Sequence, residues 1–171
     1  LSVSSLTQNG GRLLSDQAIR LDLAGGDLDN RNGLLNAKGP LTLDNLRDLN
    51  NQNGELSSRQ SFNVTGRNLD NSNGKLISNN QLGVTGTTLT NQNGLISGWQ
   101  GLNVKGTSLD NRNSGTLSSR SGNLDVDLSG VLLNGDKGAL VSQQNLTVKA
   151  DSLDNRAGIL SSGAGQKLTV A

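Results

Sequence analysis

Three aspartates in this chain, Asp29, Asp110 and Asp154, are each followed two places later by an arginine: Arg31, Arg112 and Arg156. A fourth, Asp70, has Ser72 in that place. Carboxylates set beside cations are raw material for proton transfer, glycosidic cleavage or metal capture. Each of these needs convergence, either two carboxyl groups about one bond or several donors about one ion. The sequence offers few other reagents. It has no Cys, His, Met or Tyr, and one each of Phe, Trp and Pro. Ser/His/Asp and Cys/His nucleophile sets and zinc ligand sets therefore lack their parts. No phosphate-binding P-loop and no GGxGxD nonapeptide is present. Glu55, the sole Glu, adjoins Leu56, an inward residue in the pattern described below, and so points to solvent. The one recognition candidate is Trp99, whose ring could stack on a sugar or anchor an interface. The sequence nominates no catalytic, cofactor-binding or metal-ligating residue.

The totals bound what remains. Fifteen basic and fourteen acidic residues are interspersed with no basic block, so neither nucleic acid nor an anionic membrane surface is an expected partner. No apolar run is long enough to cross a membrane as a helix. The 23 Asn and 23 Gly suggest disorder, but Leu, Ile, Val and Phe make up about a quarter of the chain and recur in register. The absence of an initiator Met suggests a piece of a larger protein, read here as one repeat segment over residues 1–171.

The register places the candidate residues. Units begin at Leu6, Leu28, Leu49, Leu69, Leu89, Leu109, Leu133 and Leu153. Each unit carries a Gly five or six places on, then an aliphatic residue such as Leu56, Leu76 or Ile96, then an apolar pair two apart such as Phe62/Val64 or Leu82/Val84. In the first unit the pair reads as Leu21/Leu23, and in the last as Leu168/Val170. Alternation at two is strand spacing, no segment holds a helical period, and Asn and Gly favour turns. A run of about 20 residues cannot bury an apolar face alone, but stacked coils can, with equivalent strands pairing in parallel about 4.8 Å apart. The expected fold is all-β: a parallel β-helix of about eight coils, right-handed because parallel crossovers prefer that hand.

Corner chemistry follows from the same register. Asn30, Asn51, Asn71, Asn91, Asn111 and Asn155 stand two after the anchor Leu, with Gln8 and Gly135 as departures. They are read as turn residues forming a hydrogen-bonded ladder, with the nearby Gly supplying positive φ. The residue just after the anchor runs Thr7, Asp29, Asn50, Asp70, Thr90, Asp110, Asn134, Asp154. Charged and neutral side chains alternate, which keeps like charges two rungs apart rather than one. That pattern describes an exposed ladder rather than a catalytic row. Trp99 falls at the turn after the second strand of its unit, where other units carry Arg59, Asn79 or Arg120. The longest break in period, Gly122–Leu132, reads as a bulged loop or an extra strand.

The unit LDNxxGxLxSxxxLxVxG, seen in Leu69–Gly86 and Leu49–Gly66, resembles the haemagglutinin repeat of the filamentous haemagglutinins and of contact-dependent growth inhibition effector stalks. The resemblance covers Leu6 to Val170. It implies a secreted protein of the Gram-negative cell surface, exported by two-partner secretion through an outer-membrane transporter. It also implies a shaft that projects distal binding or toxin domains, or a segment that itself binds a glycan or a cell-surface receptor. No enzymatic activity and no cofactor is implied. The strand edges and apolar core at the two ends are expected to let isolated chains associate end to end.

Overall fold

The computed structural model describes residues 1–171. It contains strands and turns only, all paired in parallel, and the chain climbs as a stack of eight coils. Each coil contributes one strand to each of three faces. The anchor face runs through Leu6, Leu28, Leu49, Leu69, Leu89, Leu109, Leu132 and Leu153, each pairing with the next. The second face runs through Leu13, Leu35, Leu56, Leu76, Ile96, Leu117, Leu140 and Leu160. The third face carries the apolar pairs, from Phe62/Val64 through Leu82/Val84 and Leu102/Val104 to Leu124/Val126 and Leu146/Val148. In the middle coils these columns are almost wholly buried and make up a single core of stacked Leu, Val, Ile and Phe. Each inward side chain is covered by its counterparts above and below, which is why one coil cannot fold alone.

Backbone hydrogen bonds fix the register more sharply than the sequence does, and three assignments change. The seventh anchor is Leu132, not Leu133, because Leu132 pairs with Leu109 below and Leu153 above. The doublet Leu132-Leu133 left that choice open. Asn134 then joins the Asn column, and Leu133 takes the neutral place among the alternating Asp residues. In the first coil the third-face pair is Ile19/Leu21, bonded to Leu41/Leu43, with Leu23 buried beyond it. In the last coil Leu168 and Val170 sit over Val148 and Ala150, not over Leu146 and Val148. Both of these shifts are by two residues, which keep the same faces inward and cannot be told apart by alternation alone.

The stretch Gly122–Leu132 does not protrude. Leu124 to Leu128 continues the third face, and Val131 to Leu133 continues the anchor face. The longer coil absorbs single extra residues at its corners, as the register shows: seven places from Leu102 to Leu109 become eight from Leu124 to Leu132.

The first corner shows why Asn and Gly recur. Asn32, Asn53, Asn73 and Asn93 hold φ of 55°, 56°, 58° and 53°, so the left-handed residue is the one before Gly. The expectation that Gly itself supplies positive φ is therefore corrected. Gly54, Gly74 and Gly94 are needed for room, because a Cβ there would overlap the backbone oxygens of Asn30, Asn51 and Asn71 in the coil below. Asn fits the preceding site as the most tolerant residue after Gly.

Candidate functional site

The acidic candidates lie along one edge of the anchor face. Arg31, Arg112 and Arg156 each close on the Asp two places earlier, at 2.8, 2.9 and 2.7 Å. Each also donates its backbone N–H to the same carboxylate at 3.1 Å. Hydrogen bonds from Arg31 hold the Asp29 carboxyl below its ordinary pKa, and Arg156 takes Asp154 down to about 2. Burial pushes Asp110 upward, but Arg112 and Gln92 outweigh it and the net direction is down. Asp70 accepts from Gln52 Nε2 at 2.6 Å and from the Ser72 N–H at 2.9 Å. These carboxylates accept hydrogen bonds from their neighbours and are already satisfied by them. Between them stand Asn50, Thr90 and Leu133, so no two Asp residues share adjacent rungs. No three acidic side chains gather where they could hold a metal.

A second charged series joins coils directly and escaped the sequence reading. Arg47 reaches down to Asp27 at 2.9 Å, and Arg67 to Asp48 at 2.8 Å. Both are two-pronged, with the Nε and a terminal nitrogen each donating to one carboxylate oxygen. These arginines draw the carboxyls of Asp27 and Asp48 below their ordinary pKa. The signal was present in the sequence: an Asp one place before the anchor Leu in one unit, and an Arg two places before the anchor Leu in the next.

Trp99 lies at the corner after the second-face strand Leu95–Gly98 and is 46% exposed. Its N–H donates to Ser78 O and its carbonyl accepts from the Ser121 N–H, so its backbone belongs to the regular stack. The Arg120 guanidinium, one coil up in the same column, lies 5.0 Å from the ring centroid, a cation–π distance. Beneath this pair the ladder is interrupted. Other adjacent second-face strands pair through their fourth residue, but coils five and six stop at Ser97 and Ser118. In the column below the corner, the hydroxyls of Ser58, Ser78 and Ser142 donate to Gly39 O, Gln60 O and Gly122 O at 2.8 Å. Ser119 Oγ, in the same column and buried, has no partner.

Past the corner, on the outer side of the third face, Gly83 leaves a notch between coils. A Cβ at Gly83 would meet Asn63 Oδ1, the end of an exposed side chain that lies over the glycine. The depression, about 190 Å³, is lined by Asn63, Gln81 and Asn103 with Ser61 at its rim. Other depressions lie at Asn123, Asp125 and Gln166, at Arg112, Asp136, Asp154 and Arg156, and at the more apolar Leu128, Ala150 and Ala171.

The haemagglutinin repeat is the family description that matches the chain, over residues 1–55, 46–97, 79–122 and 120–171. Comparison with curated proteins and with solved structures gives no match.

Proposed function

This chain belongs to the haemagglutinin repeat family, and on that premise we propose that it is shaft: a stiff β-helical spacer within a large secreted surface protein. In this reading the parent is an exoprotein of a Gram-negative bacterium. It leaves the cell by two-partner secretion through an outer-membrane transporter and serves as an adhesin or a contact-dependent growth inhibition effector. The segment holds distal binding or toxin domains away from the surface. It is not an enzyme and uses no cofactor.

One observation carries the reading. The recurring residues are taken up by stacking: Leu fills the core, Asn links one coil to the next, and Gly lets the coils approach. Eight rungs at about 4.8 Å give a rod of roughly 38 Å. A chain that crosses the periplasm unfolded is also well served by having no Cys to misoxidise.

The test is to remove length without removing register. Deleting residues 69–88 removes one coil, since equivalent residues here lie 20 apart. The product should fold with an unchanged circular dichroism spectrum and be shorter by about one 4.8 Å rung in solution scattering. Deleting residues 69–78 instead should unfold the middle of the rod. The spacer reading fails if the in-register deletion collapses the fold, or if the shortened parent presents its distal domain normally yet loses attachment.

A further inference from the structure

We propose that Asn134–Gly135 is a latent self-modification site, held closed by the coil above it and released when that coil lifts. The reaction is deamidation through a cyclic imide. The Gly135 backbone nitrogen attacks Asn134 Cγ and loses its proton, the bond from Cγ to Nδ2 breaks, and ammonia leaves. Water then opens the ring at one of its two carbonyls. The product is either aspartate or isoaspartate, whose main chain runs on through Cβ and Cγ. Gly favours the attack because it has no Cβ beside the nitrogen.

The chain holds six Asn-Gly pairs, beginning at Asn9, Asn32, Asn53, Asn73, Asn93 and Asn134. The stack disarms four of them by geometry. Asn32, Asn53, Asn73 and Asn93 have φ between 53° and 58°. In this left-handed region ψ is about +30 to +60°, which turns the following nitrogen nearly opposite to Cβ. A five-membered ring needs the two almost eclipsed. The N–H groups of Gly33, Gly54, Gly74 and Gly94 are also tied, to the carbonyls of Asn30, Asn51, Asn71 and Asn91. After Asn9, the Gly10 N–H donates to Arg31 O.

Asn134 differs on both counts. Its φ lies outside the left-handed region, and the Gly135 N–H donates to no acceptor. The register is the cause. In coils two, three, four, six and eight the N–H at this position donates to a side chain two places earlier: Asp29, Asn50, Asp70, Asp110 or Asp154. In coil seven that residue is Leu133, which has nothing to accept with. A depression of about 360 Å³ between Arg112 and Arg156 opens onto Gly135, so water has a route to the ring.

The Asn column keeps the site silent. Asn134 Oδ1 accepts from Asn111 Nδ2 at 2.8 Å, and Asn134 Nδ2 donates to Asn155 Oδ1 at 2.8 Å and to Ile159 O at 3.0 Å. Both acceptors of the leaving nitrogen belong to coil eight. When coil eight lifts, the amide is freed to turn toward the unbonded nitrogen. Either product then makes the opening permanent. A carboxylate cannot donate to Asn155 or Ile159. Isoaspartate lengthens the corner between Leu132 and Leu140, whose pairing with Leu153 and Leu160 fixes the register. The inference is independent of the spacer reading.

The test is to incubate the intact chain at pH 8, in buffer and in urea below its unfolding transition, and to map conversion at each pair by mass spectrometry. Asn134 should convert first and faster as the urea rises, while Asn53, Asn73 and Asn93 stay intact until the whole rod unfolds. Asn155→Ala removes one coil-eight acceptor and should speed conversion at Asn134 severalfold, with the other pairs unchanged. Gly135→Ala should slow it severalfold both in the folded chain and in full urea, where only the chemistry of the pair is left. The modified chain, separated by its added negative charge, should be cut by trypsin after Arg156 faster than the unmodified chain. The proposal is overturned if any other Asn-Gly pair converts as fast as Asn134 while the chain is folded, or if conversion at Asn134 does not rise with urea below the transition. It is equally overturned if Asn155→Ala leaves the Asn134 rate unchanged, if Gly135→Ala does not slow it, or if the modified chain is cut at Arg156 no faster.

Discussion

Asn71 Nδ2 donates to Asn91 Oδ1 at 2.8 Å, across 20 residues of sequence and one rung of the stack. Asn91 passes the bond on to Asn111 at 2.7 Å. The same amide nitrogen of Asn91 also donates to Gly94 O and Thr116 O. The column runs unbroken from Gln8 through Asn30, Asn51, Asn71, Asn91, Asn111 and Asn134 to Asn155, always in one direction. Its central members are almost fully buried.

Asn91→Ala removes a buried donor and leaves Asn71 Nδ2 without this acceptor. It should cost about 1–3 kcal/mol for each group left unsatisfied. Asn91→Asp should cost more at neutral pH, because a carboxylate would face the oxygens of Asn111, Gly94 and Thr116. Burial among acceptors raises the pKa of such an acid in the folded state. The stability it retains is therefore greatest at low pH and is lost as pH rises. Chemical denaturation of both variants at pH 4 and pH 7 checks the order and the sign.

The corner geometry makes an inverted expectation about Gly and Asn. Gly74→Ala should destabilise by more than Asn73→Ala, although Asn73 is the residue at φ 58°. Ala in the left-handed region costs roughly 1–2 kcal/mol. Ala at Gly74 instead drives a methyl group into the Asn51 carbonyl oxygen of the coil below, and the backbone must move. Melting temperatures of the two variants decide the matter.

Leu76 is 1% exposed in the second-face column. Leu76→Asp should unfold the central coils, a loss of more than about 4 kcal/mol, because it buries an unpaired charge. Asp70→Asn keeps an acceptor for the Ser72 N–H and should change stability by less than about 1 kcal/mol. A folded Leu76→Asp chain by circular dichroism would mean that the column does not face the core.

Acid should weaken the rod and the physiological range should not. Asp27, Asp29, Asp48, Asp110 and Asp154 have folded pKa values below their unfolded ones, held there chiefly by arginine, with Asp154 at about 2. Their contribution is complete above the unfolded value near 3.9 and fades as pH falls through the folded values. With no His, the chain has no side chain whose ordinary titration falls between about pH 5 and 8. The melting temperature should be flat from pH 8 to 5 and fall below pH 4. The fall should shrink in 1 M salt, which screens exposed pairs.

End-to-end association of the isolated chain has a built-in obstacle. Leu1–Val3 already lies against the first coil as an extra third-face rung, through the Ser2 and Asp22 bridge. Stacking the first coil of one chain on the last coil of another would put Leu1–Val3 where Gln166–Val170 stands. We expect weak association of the 171-residue chain and stronger association once residues 1–3 are deleted. Light scattering over a concentration series distinguishes the two.

Most of the fold is legible in the columns, because stacking repeats one environment per coil and so writes the same residue type each time. Leu56, Leu76 and Ile96 fall where the pattern puts them. Legibility fails where the pattern is degenerate. Leu132-Leu133 offers two anchors, and the Ile19, Leu21, Leu23 series fits two registers on one face. Only pairing across coils settles these. The candidate site was legible as a residue and not as a place. Trp99 stood out by type, but the Arg120 guanidinium over its ring, the interrupted ladder at Ser119 and the Gly83 notch arise between coils.

The one-way Asn column has a mechanical consequence. Its bonds, like those of the three strand ladders, lie along the rod, so bending and compression load many of them together. A pull that draws a chain end outward loads only the last rung. Such a pull would peel the rod coil by coil. Each released coil of about 20 residues would yield some 70 Å of slack for a rung only about 4.8 Å thick. A tether of this design stays rigid until it is overloaded, then lengthens in steps and absorbs work at each one, with the inner coils still intact.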